Sequence, residues 1–236
     1  MNYTARLRDA HWRFFHLMGI DPDTGLISAD RRLAGSEHRK FAGYPYAGSR
    51  YDSDDRVKRL LVVGLDASRD KNPGGGPMWD AGQFARAITD PDINPHMAGV
   101  CFAALRYAFP VAWGWKRYES QRKSCMRLIK DGLDLPKNPL QYIAFTNFYK
   151  WVTRGRTSGR GDQDRIHFNP RAEIDLVHEE VRILHPEVVV LQGKPFAESG
   201  FANTRSFIEQ FADCYVVFHP AYPNKGFHPR GMLQRT

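Results

Sequence analysis

Leu60 to Val63 form an aliphatic run with no polar interruption, and it leads directly into Gly64, Leu65 and Asp66. A continuous run of this kind reads as a strand buried on both faces, the signature of a parallel sheet. Three more stretches repeat the pattern. Leu140 to Asn147 ends on an amide, Val188 to Gly193 ends on a glycine, and Tyr215 to Phe218 delivers His219-Pro220-Ala221. Helical spacing falls between or beside them, most clearly over Pro170–Leu184, where Ile174, Val177, Val181 and Leu184 share a face. Strands alternating with helices predict an α/β fold, and its ligands gather at the carboxyl ends of the parallel strands. Asp66, Asn147, Gly193 and His219 would all lie on that edge. Asp66 has two readings: it caps the chain that follows, or it is the first ionisable group of a cleft.

Composition narrows the partners. The 236 residues carry 34 Lys and Arg against 26 Asp and Glu, a net charge of +8 and a pI near 9.5. Such a balance favours polyanions, nucleic acid before an anionic membrane surface. No stretch approaches the roughly 18 apolar residues needed to span a bilayer. Met1 to Asp9 holds no apolar leader segment, so a cytoplasmic location is expected. Cys101, Cys125 and Cys214 are far apart and odd in number, which predicts reduced, mostly buried thiols rather than a disulfide, zinc or iron–sulfur framework. No Walker or G-x-G-x-x-G loop exists, so no nucleotide cofactor is expected.

In chain order, residues 1–19 read as a helix and 20–56 as an irregular arm without sheet signal, packed on the domain formed by 57–236. Lys71 to Asp80 is a glycine- and proline-rich loop. Helices are expected over 83–89, 97–109, 118–130 and 203–211. Lys150 to Gly161 is a basic, glycine-punctuated loop: Lys150, Arg154, Arg156 and Arg160 suit phosphate contacts, or simply a solvated loop. Aromatics beside cations, as in Tyr149-Lys150-Trp151, suit either base stacking or core edges. The tail from Asn224 reads as basic and irregular.

From Val57 to Pro223 the motifs resemble those of the uracil-DNA glycosylase superfamily. Gly64-Leu65-Asp66-Ala67-Ser68 resembles its first motif, Ala144-Phe145-Thr146-Asn147 its base-reading strand, Leu184 to Gly193 its Pro-x-hydrophobic-Gly strand, and His219-Pro220-Ala221 its second catalytic motif. The resemblance implies a single-domain three-layer α/β/α sandwich around a mostly parallel four-stranded sheet. It implies a cofactor-free, monomeric enzyme that flips a pyrimidine out of DNA and cleaves its N-glycosidic bond. Asp66 would stabilise the oxocarbenium-like sugar and direct water, His219 would stabilise the departing base at O2, and Asn147 would read N3 and the group at C4. Gly64 belongs to the base pocket. Trp79 or Phe148 would be the stacking platform, Tyr222 the wedge, and Lys150, Arg154, Arg156, Arg160 and Lys225 the DNA contacts.

Two positions depart from the family pattern. Ala67 replaces the usual proline, and Ser68 stands where strict uracil enzymes carry a tyrosine that collides with any 5-substituent. Room around C5 leaves uracil and 5-modified pyrimidines, including hypermodified phage cytosines, both open as substrates. The missing cysteine ligands separate the chain from the iron–sulfur branches. A protein that binds modified or single-stranded DNA without turnover is the alternative.

Overall fold

The computed structural model describes residues 2–31, 36–42, 44–53, 55, 57–66, 108, 139–155, 168–217 and 232–235. These comprise α1 (Tyr3–Met18), β1 (Arg39–Phe41), β2 (Tyr46–Ala47), β3 (Leu60–Gly64), β4 (Ile143–Asn147) and β5 (Trp151–Thr153). There follow α2 (Pro170–Leu184), β6 (Val188–Gln192), α3 (Ala202–Glu209), β7 (Asp213–Val217) and β8 (Met232–Arg235).

The four apolar runs of the sequence become four adjacent parallel strands in the order β4-β3-β6-β7. Among the described residues the sheet has six strands rather than four, because β2 and β8 add antiparallel edges on β4 and β7. Edge strands of two to four residues carry too few side chains to display a period, so the arm and tail read as irregular. A separate ribbon pairs β1 with β5 antiparallel, Phe41 opposite Trp151, within stretches the sequence reading left as loop.

Numbered along the chain, the parallel strands lie in the order 2-1-3-4. The direction of winding reverses at β3, which places the topological switch point between β3 and β6. Leu61, Val63, Leu65, Ala144, Val189, Leu191 and Val216 line one sheet face and pack against Tyr3, Leu7 and Ala10 of α1 and Val177, Val181 and Leu184 of α2. Full burial of each such aliphatic side chain contributes roughly 1.5–3 kcal/mol. The opposite face, with Leu60, Val62, Ile143, Val188 and Val190, is buried just as completely. Cys214 sits in the first core, where burial pushes its thiol up to about 12, so it is an inert packing group.

Helix boundaries follow local chemistry. Gly19 closes α1 in the left-handed region at φ 65°. At the start of α2 the Asn169 side chain accepts from the Ala172 N–H, Pro170 opens the first turn, and the buried Glu173 carboxylate accepts from the N–H groups of Phe168 and Asn169. His185 ends α2 at φ 45°, the one non-glycine among the described residues with positive φ. Between α1, α2 and the ribbon lies an aromatic cluster of Phe14, Phe15, Phe41, Tyr44 and Trp151. Trp151, a stacking candidate from sequence, belongs to this core.

Candidate functional site

Strand register sets Gly64, Asn147, Gln192 and Val217 on one line. Gly64 pairs with Asn147 on one side and Gln192 on the other, and Gln192 pairs with Val217. Register partners in a parallel sheet point to the same face, so Asn147 and Gln192 flank Gly64 at the carboxyl edge. A side chain at Gly64 would run into the Asn147 Oδ1 atom and lie 3.2 Å from the Phe145 ring. Gly64 is therefore the space that the Asn147 amide occupies. Asn147 itself is only 7% exposed.

The ladder continues past the strand ends. The Phe148 N–H donates to the Gly64 carbonyl (2.8 Å) and the Tyr149 N–H to the Leu65 carbonyl (2.9 Å), which carries the chain from Asn147 alongside the half-buried Asp66. Across the switch point, Gly193 adopts φ 146°, a conformation side chains disfavour, and its N–H donates to the Val217 carbonyl (2.8 Å). Arg205 braces the turn beyond by donating to the carbonyls of Phe196 and Glu198.

Beneath Asn147 lies a polar cluster the sequence reading did not find. Thr146 Oγ1 donates to Glu180 Oε2 (2.9 Å), and Lys150 Nζ donates to both Glu180 oxygens (2.7 and 2.9 Å) and to Thr146 Oγ1 (2.9 Å). His11 Nε2 meets Glu180 Oε1 at 2.7 Å. All four residues are fully buried. Burial alone would raise the Glu180 carboxyl, but the Lys150 charge and the hydrogen bonds from His11 and Lys150 hold it below the usual carboxylate range. Burial lowers the Lys150 ammonium against the opposing pull of Glu180, and it lowers His11 in the same way. The cluster ties α1 and α2 to the residues on either side of Asn147 and so fixes the end of β4. Its signal was present in the sequence: Glu180 interrupts the apolar stripe of α2, and His11 lies between Leu7 and Phe14 on the buried side of α1.

Two sequence assignments are corrected. Lys150, expected to grip phosphate, has 0% of its side chain exposed and is committed to Glu180. A long cation beside a helix carboxylate finds its partner inside the fold rather than in solvent. Phe148, an alternative stacking platform, sits in the core on the helical face of the sheet, with edge contacts to Phe196 and Phe201 at 5.9 and 4.9 Å between ring centroids. On α2, His178 is half-buried and stacks on Phe207 at 3.8 Å. Arg154 is exposed in the turn after β5. Ser68, Trp79, Arg156, Arg160, His219, Tyr222 and Lys225 lie outside the described residues, as do the helices expected over 83–89, 97–109 and 118–130 apart from Ala108.

Among the described residues, no His, Cys, Asp and Glu cluster has the arrangement of a metal site, and no helix is long and apolar enough to cross a membrane. Compared with protein-family models and with curated proteins, the chain matches none.

Proposed function

We propose that this chain is a DNA glycosylase of the uracil-DNA glycosylase type, acting as a cytoplasmic monomer without a cofactor. The observation that carries the reading is the strand-end row. Asn147 ends β4 and Asp66 follows two residues after the end of the adjacent parallel strand β3, at one carboxyl edge next to the switch point, with Gly64 kept bare beside Asn147. That is the pairing of acid and amide the chemistry requires.

In the proposed reaction the flipped nucleotide loses its base as the C1′–N1 bond breaks and its electron pair departs with N1. Asp66 stabilises the cationic sugar and takes a proton from the attacking water, whose oxygen bonds to C1′. His219 stabilises the developing negative charge at O2, and the base leaves after protonation, with an abasic site remaining in DNA. Asn147 can serve a uracil or a cytosine edge, since turning its amide exchanges donor and acceptor. Ser68 leaves space at C5, which extends the substrate class to 5-modified pyrimidines. Excision of a hypermodified phage cytosine would make the enzyme a defence factor. A net charge of +8 and the exposed Arg154 fit a DNA partner.

Asp66→Asn separates the enzyme from a DNA-binding protein lacking turnover. For an enzyme, the variant keeps its affinity for DNA holding the substrate base and loses product formation. Wild type that binds such DNA tightly but releases nothing supports the binder instead.

A further inference from the structure

Gln192 closes β6 with its side chain on the same sheet face as Asn147, one strand beyond Gly64. It is 3% exposed, and its Nε2 has no hydrogen-bond partner among the described residues. A buried amide donor without a partner is costly, and an apolar side chain of the same length would fill the volume without that cost. Other buried atoms without a hydrogen-bond partner among the described residues lie on other elements: Ser36 Oγ and Tyr51 Oη in the N-terminal arm, Trp151 Nε1 in the ribbon, Arg59 Nε ahead of β3 and His178 Nε2 on α2. At the edge, the orphaned donor stands beside the switch point, about 10 Å from Asn147 by strand spacing, with only the bare Gly64 between the two. The two amides therefore flank Gly64 on one sheet face, that of Asn147 filling the space a side chain at Gly64 would take.

We infer that Gln192 is a second base-reading residue, its Nε2–H donating to an acceptor oxygen of the flipped pyrimidine. The inference rests on the glycosylase reading. The oxygen is a ring carbonyl or belongs to a substituent at C5, the same hydrogen-bond chemistry from two sources. A donor that stays unsatisfied until substrate arrives adds its hydrogen bond only in the complex, and its absence penalises a base that lacks the matching oxygen.

The test measures single-turnover base release by wild type, Gln192→Met and Gln192→Glu. The DNAs contain uracil, cytosine, 5-hydroxymethyluracil or 5-hydroxymethylcytosine, and each protein's melting temperature is recorded alongside. Gln192→Met is expected to melt at or above the wild-type temperature, because an unpaired buried amide is gone, yet to release base roughly tenfold to a hundredfold more slowly. Gln192→Glu keeps the shape without the donor and is expected to be slow as well. A loss on every base that wild type releases assigns the oxygen to the ring; a loss confined to the hydroxymethyl bases assigns it to the 5-substituent. Wild-type rates in Gln192→Met on every base overturn the role of Gln192 and leave the glycosylase standing. A slower rate matched by a lower melting temperature also overturns it, since that is a packing defect. Wild type that releases no base overturns both readings together.

Discussion

The Glu180 carboxylate accepts hydrogen bonds from His11, Thr146 and Lys150. Buried charges of this kind are held by their partners, so removing one is far worse than removing both. Glu180→Gln leaves Lys150 buried without its counter-ion and is expected to cost about 3–5 kcal/mol, read as a fall in the urea midpoint at an unchanged slope. The cluster also sets a pH dependence. His11 and Glu180 both titrate below their ordinary values in the fold, so the unfolded chain binds protons more tightly at both sites. Their contribution is complete above about pH 6.5, the ordinary histidine value. It is lost as pH falls, first at His11 and then at Glu180 from about pH 4.5 downward. Denaturant titrations between pH 7.5 and 4 are expected to show that decline, with the upper part absent in His11→Gln. At the strand edge, Gly64→Ala pushes a methyl group into Asn147 and Phe145. It is expected to destabilise by about 1–3 kcal/mol and, in the proposed enzyme, to lower base release tenfold or more, because the Asn147 amide must move.

At the scale of elements, the four parallel strands and α2 were legible because each is a long run or a clear helical stripe bounded by turn residues. Short strands were not: β1, β2, β5 and β8 have two to four residues and are defined by their partners rather than by their own sequence. The end of α2 offers a local test. His185 occupies a left-handed position that favours glycine, so His185→Gly is expected to raise stability by roughly 0.5–1 kcal/mol in thermal or urea unfolding. No change in base release is expected, since the position lies at the amino-terminal side of β6, the far end from Gln192.

For the whole molecule, the sequence already pointed to the sheet edge at which the proposed chemistry would sit, because strand ends and motif residues coincide at Asp66 and Asn147. It could not separate a surface cation from a buried one: Lys150 and Arg154 look alike in a basic stretch, and only the packing of α2 against β4 tells them apart. Nor could it find Gln192, whose significance comes from standing across Gly64 from Asn147, a relation set by strand order. In the proposed function, Asp66 drives hydrolysis of a base from DNA at this edge. Its most direct test is mass-spectrometric identification of the free base after incubation with DNAs containing uracil, thymine, 5-hydroxymethylcytosine or glucosylated 5-hydroxymethylcytosine. Wild type and Asp66→Asn would be compared at equal fold stability. The expected result is a free pyrimidine and an abasic site from at least one DNA with wild type, and a loss of at least a hundredfold, about 2.7 kcal/mol of barrier, in Asp66→Asn. Equal release by both proteins, or no released base from any DNA, would contradict it.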